Sequence, residues 1–404
     1  MDNEVEVPSY FICPISLEIM KDPVIVTTGI TYDRESIEKW VFSGKNKCCP
    51  VTKQTLIQDM EMMTPNVTLR RLIQAWCTLN TSYGIERFPT PKPPARKVQI
   101  LKLINEARSS PQKELKCIQS LRSIASQSET NKKCIESAGV VEFLVSIINN
   151  AKDREDVKPC EEALSLLYNL KLSENGISFL FGGHNEFVGS LISVMQRGSY
   201  ESRAYAVMLL KSMFEFVDHA QMASLKIDFF FELVQILGDQ ISNKASKATL
   251  KLLIDVCPWG RNRNRAVEAG LVSLLIDLVL DCNISSEKRV CEMMFVLLDQ
   301  LCKCAEGRAE LLKHGAGLAM VSKKILRVSH IVSEMAVKIL YSIATFSATK
   351  VVLQEMLNLG VVGKLCLVLQ VDCGVRMKEK AREILKLHTR AWKNSPCVPI
   401  DVYP

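Results

Sequence analysis

One phrase returns along the C-terminal three quarters of the chain and leaves little freedom for its fold. NKKCIESAGVVEFLVSII is followed by NRAVEAGLVSLLIDLVL, LKHGAGLAMVSKKIL and LQEMLNLGVVGKLCLVL. Gly139, Gly183, Gly270, Gly315 and Gly360 share a register, with Ile227 filling the gap in a degenerate copy that continues FFFELVQIL. Successive offsets are 43 to 45 residues, a period that marks stacked helical repeats. Before each phrase lies another amphipathic helix, such as EALSLLYNL or SEMAVKILYSIA. None of these helices can bury its apolar stripe alone. Stacking closes the core and builds a superhelix with a concave groove. The glycine allows a sharp turn between the second and third helices of a copy, where a side chain would collide. About six copies fit residues 97–375, with a closing helix near Lys378 to Trp392. Met and Cys within these helices read as core fillers.

The N-terminal residues follow a different pattern. Val24, Ile25 and Val26 form a β-branched run, Gly29 punctuates, and Ile30, Thr31 and Tyr32 follow, which predicts a short hairpin. Asp33 stands where a helix N-cap is wanted, ahead of Ile37, Trp40 and Val41 on one helical face. Ser43 to Lys47 reads as a polar loop and Cys49-Pro50-Val51-Thr52 as an ordered turn. Asn66 caps a last helix whose Leu69, Leu72, Ile73 and Trp76 are expected on one face. A domain this small usually needs a staple.

Zinc is the obvious staple, since Cys13, Cys48, Cys49 and Cys77 all fall in this stretch. A structural zinc site wants Cys or His pairs two to four residues apart, closed to four ligands. Cys13 has no such neighbour, Cys48 and Cys49 are adjacent, and the first histidine is His184. The expectation is therefore no metal. Glu18, Asp22, Thr31, Asp33, Arg34, Ser36 and Lys53 are expected to cross-link the loops instead, as a polar network.

FxCPISLEIMKDPV, GxTYDRxSIExW, CPVTxxxL and PNxTLRRLIxxW stand in that order in the first 80 residues. Together they resemble the U-box, a zinc-free relative of the RING finger. The resemblance implies that the module binds a ubiquitin-conjugating enzyme carrying ubiquitin and promotes transfer to a substrate lysine. It implies docking through Cys13, Pro14, Ile15 and Leu17 of a first loop, Trp40 of the central helix and Pro50 of a second loop. Cys13 lacks a nearby base or cation to activate it, so no covalent ubiquitin intermediate and no cofactor is expected. The C-terminal part resembles armadillo repeats. The expected fold is thus mostly α: a small α+β zinc-free U-box domain at 6–80, a proline-rich linker at 81–96 and an all-α armadillo solenoid at 97–395.

The linker holds Pro89, Pro91, Pro93 and Pro94, which forbid a continuous helix and suggest a stiff spacer keeping the two parts separate. Arg261, Arg263 and Arg265 cluster before one repeat's last helix. They read either as a solvated turn or as a contact for an acidic substrate in the groove. The order U-box, linker, armadillo resembles the plant U-box ubiquitin ligases, and SYGIERFPTPKPP and CPWGRNRNRAVE point to their smaller cytosolic members. That implies a negative role in immune or water-stress signalling, and association of the chain with itself or with related ligases. The alternative is a non-catalytic armadillo scaffold with an inert U-box.

Composition sets the remaining bounds. Fifteen cysteines without secretory spacing suit reduced thiols in cytosol or nucleus. Asp2, Glu4 and Glu6 follow Met1 in place of a basic leader, so no signal peptide is expected. Apolar runs are cut by charge well short of a membrane span. The net charge of +7 reads as a solvated basic surface, with no nucleic-acid partner expected.

Overall fold

The computed structural model describes residues 6–42, 48–56, 63–90, 94–150, 157–181, 186–216, 225–282 and 284–393. The polar loop expected at Ser43 to Lys47 lies outside them, as do Gly183, Pro91 and Pro93. The chain forms two compact units, Met1–Ile147 with Glu155–Leu172, and Ile148–Arg154 with Ser173–Pro404.

In the first unit the expected hairpin is present. β1 (Pro23–Ile25) pairs antiparallel with β2 (Thr31–Asp33), in the register Val24 to Tyr32. Gly29 turns the chain at φ 79, a value that L side chains rarely adopt. A strand not expected from the sequence, β3 (Thr64–Pro65), covers the other edge of β1. The central helix α1 (Arg34–Phe42) buries Ile37 and Val41 against Val24, Tyr32, Met20 and Phe11.

Asp33 does not cap α1 as expected. Its Oδ1 accepts instead from the amides of Lys21 and Asp22, at 2.8 and 2.9 Å. Asn66 does cap α2 (Val67–Leu79), accepting from the Leu69 amide at 3.1 Å. The buried face of α2 runs through Leu69, Ile73, Trp76 and Cys77. Leu72 points to solvent, 53% exposed. A 3.6-residue period places Cys77 four residues beyond Ile73 on the same line.

Helix α3 (Lys97–Ser109) opens the helical region, followed by α4 (Pro111–Ala125), α5 (Glu129–Ser137), α6 (Val140–Asn149) and α7 (Lys158–Leu170). The linker does not act as a spacer. Ile85 and Phe88 pack on the core of the N-terminal module, and Lys21 Nζ lies 5.3 Å from the centre of the Phe88 ring. At its other end, Ala95 donates its amide to Asn131 on α5 at 2.9 Å and accepts from Cys134. Ile85 and Phe88, which precede the prolines, give the segment apolar surface to bury on the module, and Ala95 ties its far end to α5 by hydrogen bonds.

The second unit continues with α8 (Glu174–Phe181), α9 (Glu186–Arg197), α10 (Tyr200–Phe214) and α11 (Ile227–Gly238). Next come α12 (Asn243–Val256), α13 (Gly260–Glu268), α14 (Leu271–Asp281) and α15 (Ile284–Leu301), the last kinked at Glu287. Then follow α16 (Ala305–Lys313), α17 (Gly317–Lys324), α18 (His330–Phe346), α19 (Lys350–Asn358) and α20 (Val361–Gln370). Helices α21 (Val375–Leu387) and α22 (Thr389–Trp392) close the chain. Several long helices start on a serine, Ser199, Ser242 or Ser329, whose side chain accepts an amide of the first turn.

Gly139, Gly270 and Gly360 are all left-handed, as the turn between helices requires. Gly315 is not among them. In that copy Gly317 is the constrained position, because a methyl group there would collide with the Leu311 carbonyl. Trp392, 1% exposed, seals the end against His388 and donates to the Ile384 carbonyl at 3.4 Å. No single helix among the described residues is long and apolar enough to cross a membrane.

Candidate functional site

The site lies in the N-terminal module, where two loops flank α1. The first loop is closed by a bridge between Ile12 and Ile19. Inside it, Cys13 N donates to Glu18 O at 2.8 Å and Leu17 N to Cys13 O at 2.9 Å. These bonds leave Leu17 at the tip, 76% exposed at φ 59. Ile15 packs against the module's core, only partly buried, and Pro14 is exposed. The loop is tied to the start of α1 by Asp33 N donating to Cys13 Sγ at 3.3 Å.

The second loop is closed by a bridge between Cys48 and Thr55 and is organised around a sulfur. Cys49 Sγ, with no exposed surface, lies 3.0 Å from Tyr32 Oη and accepts from Thr28 Oγ1 at 3.4 Å and Thr52 N at 3.5 Å. Burial disfavours its thiolate, but the hydrogen bonds from Thr28, Thr52 and Tyr32 outweigh this and bring the thiol down to about 6. The Tyr32 hydroxyl moves the opposite way, raised by burial and then by its bond to Cys49. Trp40 Nε1 donates to Cys48 O at 2.9 Å and so fastens this loop to α1. The result is a face with Leu17 and Ile15 on one side and Pro50 and Val51 on the other, the latter 52% exposed. Trp40 lies on the helix that joins them.

Two features differ from the expected face. Cys13 does not belong to it, because its side chain is fully buried and its sulfur is engaged by Asp33. Trp40 both lines the face and holds the second loop, so its removal would alter structure as well as surface. Val51 was not anticipated. A β-branched residue after Pro50 in a turn reads as ordinary core until its exposure is seen.

The polar network is smaller than expected and contains a residue not anticipated. Asp22 Oδ2 accepts from Arg34 Nε at 2.6 Å, and Asp22 Oδ1 from Arg70 at 3.3 Å. Asp33 joins through the two backbone amides named above. Among the described residues Glu18, Thr31, Ser36 and Lys53 make no side-chain hydrogen bond in it; Glu18 and Lys53 are exposed. Arg70 stands in the TLRRL block of α2. Among the described residues no three His, Cys, Asp or Glu side chains gather as a metal-ligand group. Cys13 and Cys49, the buried loop cysteines, use their sulfurs as hydrogen-bond acceptors.

The arginine cluster also looks different once placed. Arg263 donates to the Pro258 carbonyl at 2.9 Å and Arg265 to the Leu225 carbonyl, both half-buried. They tie loops of their own unit. Of the three, only Arg261 is exposed.

Comparison with known proteins gives two family matches. The model described as "U-box domain" matches residues 7–82, and "Plant U-box protein ARM repeat region" matches residues 99–403. The chain is 57% identical over 409 residues to the E3 ubiquitin-protein ligase PUB23 of Arabidopsis thaliana, covering 100% of this chain and 98% of the relative. It is 54% identical over 432 residues to PUB22 of the same plant, covering 100% and 99%. Among solved structures, an engineered protein from the Northeast Structural Genomics Consortium matches with a TM-score of 0.52 at 18% identity. It covers 72% of this chain and 68% of that one, a likeness of fold alone.

Proposed function

We infer, for a chain that belongs to the plant U-box ubiquitin ligases with armadillo repeats, that Ile15, Leu17, Trp40, Pro50 and Val51 form the face on which the charged conjugating enzyme docks. The chain is an E3 ubiquitin-protein ligase, and its partners are a conjugating enzyme and a protein substrate. The alternative of an inert scaffold is set aside by that kinship. Cys13 and Cys49 are sealed in the module and engaged as acceptors, and kinship with the U-box ligases supports transfer directly from the conjugating enzyme to lysine. The module's contribution is to hold the thioester donor in a reactive arrangement.

The observation that carries the docking face is Leu17. A large apolar side chain at φ 59 costs about 1–2 kcal/mol in backbone strain and gains almost no burial in return. Such a residue is accounted for by a partner that covers it. Substituting Leu17→Lys is expected to slow discharge of a ubiquitin-charged conjugating enzyme onto free lysine by at least about tenfold, with thermal unfolding of the full chain unchanged. Discharge at the wild-type rate would remove Leu17, and the face built around it, from the mechanism.

The solenoid recruits the substrate in this account, supported by the stacked-repeat organisation of the family it belongs to. Deleting residues from Ser173 onward should abolish substrate modification and spare discharge onto free lysine. The resemblance to the small plant subgroup supports a role in damping immune or water-stress signalling, exercised in cytosol or nucleus. It also supports association of the chain with itself or related ligases. Plants lacking the protein should show prolonged immune outputs, and wild-type responses would count against that role.

A further inference from the structure

Glu38 is a carboxylate with 1% exposure on α1, and the residue that hydrogen-bonds to it is not in the U-box. Its two oxygens accept from Thr130, in the first turn of α5 and 92 residues away. Thr130 Oγ1 donates to Oε1, and Thr130 N donates to Oε2 at 3.3 Å. The first amides of a helix lack partners within it and carry partial positive charge. Ser128 caps the next amide of α5, that of Asn131, at 3.1 Å. Glu38 therefore caps α5 from another domain. Four residues along α1, Lys133 Nζ of α5 sits 3.5 Å from the centre of the Phe42 ring.

The same helix carries Trp40. Residues two apart on a helix point to opposite sides, so α1 presents Glu38 and Phe42 to α5 while Trp40 holds the second loop of the docking face. Arg34 lies 4.0 Å from Glu38 and 2.6 Å from Asp22. The ion pairs that hold the U-box together thus continue into the junction without a break.

We propose that Glu38 is a positioning residue for ubiquitin transfer: by capping α5 through Thr130 it fixes the direction in which the U-box presents its charged conjugating enzyme, and so selects which lysines are modified. The proposal rests on the docking face inferred above. An enzyme seated on a freely hinged U-box would reach many lysines at random, whereas one seated on a docked U-box reaches a defined set.

The test uses the full chain carrying Thr130→Val, Glu38→Ala or Glu38→Gln. Three readouts are taken: amide exchange over α5, discharge of the charged conjugating enzyme onto free lysine, and a mass-spectrometric map of self-modified lysines. Thr130→Val lies outside the U-box, so it keeps the test available if Glu38→Ala fails to fold. Both are expected to speed exchange in the first turns of α5 by about tenfold or more. Discharge onto free lysine should stay within about twofold, and the ranking of modified lysines should change. Glu38→Gln keeps an acceptor and should restore the wild-type map. Thr130→Val loses only the hydroxyl bond and keeps the backbone amide, so an unchanged exchange rate in both Thr130→Val and Glu38→Ala refutes the cap. An unchanged lysine map with a loosened junction refutes the positioning role. A parallel fall in discharge and self-modification shows that the junction acts on activity itself, which also overturns the proposal. Leu17→Lys, run alongside, separates these results from a failure of the docking face, because it should slow discharge by at least about tenfold and leave α5 exchange untouched.

Discussion

Asp22 is where the N-terminal module is most open to attack. Its carboxylate accepts from Arg34 and Arg70, which come from α1 and α2, and the three side chains are only 14%, 12% and 21% exposed. In Asp22→Ala both guanidinium groups stay largely buried with their shared anion gone. Breaking a buried pair from one side costs about 3–5 kcal/mol, and the residual solvent here lowers that to about 2–3 kcal/mol. A domain of about 75 residues has only about 4–11 kcal/mol in total, so the loss is a large share. Asp22→Asn keeps a neutral acceptor and should lose about half as much. Hydrogen exchange in the full chain, read over Pro23–Ile25 and Thr31–Asp33, measures it directly. These amides should exchange roughly 30- to 150-fold faster in Asp22→Ala, while those of α12 to α20 should not change. Exchange within about threefold of wild type would show that the two arginines hold nothing together.

Further outcomes follow from other parts of the module. Cys49→Ala strips the acceptor from the buried Tyr32 hydroxyl and two other donors, and should destabilise the U-box by about 1–3 kcal/mol in urea unfolding; Cys49→Ser should recover part of this. Trp40→Phe keeps the apolar surface but loses the bond to Cys48, so conjugating-enzyme affinity should fall less than in Trp40→Ala, as measured by calorimetric titration. Dialysis against a strong chelator should leave the ligase rate unchanged, because the staple is made of ion pairs and sulfur hydrogen bonds; restoration of a lost rate by zinc would contradict this. Burial raises Glu38 above the ordinary carboxylate value of 4.5, against the opposing pull of the hydrogen bonds from Thr130 and of Arg34. The folded state therefore holds this proton more tightly than the unfolded one. Its contribution is complete below the unfolded value and is lost as pH rises through the folded value. The urea midpoint of the wild type should accordingly respond to pH above the ordinary carboxylate value of 4.5 more than that of Glu38→Gln.

The elements that were legible in the sequence are those whose signal is local. The hairpin at Val24 to Tyr32, the Asn66 cap and the glycine register of the repeats each depend on a few neighbouring residues and the backbone they favour. Glycine was readable at Gly139, Gly270 and Gly360 because a left-handed turn demands it. It misled at Gly315, where close packing two residues later carries the constraint instead. Side-chain partners were much harder to read. Asp33 looks like a cap in sequence, but the amides of Lys21 and Asp22, brought alongside by the hairpin, compete for the same oxygen. Cys13 sits inside the docking motif, yet the turn that the Leu17 amide closes on the Cys13 carbonyl buries Cys13 and leaves Leu17 outside. Four prolines suggested a spacer, while Ile85 and Phe88, just ahead of them, found apolar surface to bury. Nothing near Glu38 in sequence could have announced Thr130, since a cap supplied across 92 residues exists only once the chain has folded.

The proposed conjugating-enzyme site is a non-covalent face of two loops and one helix. Its most direct measurement is amide exchange of the full chain with and without a ubiquitin-charged conjugating enzyme made stable by an isopeptide link. Protection is expected over Cys13 to Glu18 and Cys48 to Thr52, with α5 and the solenoid unchanged. Protection confined to the solenoid, or none within those two loops, would contradict it.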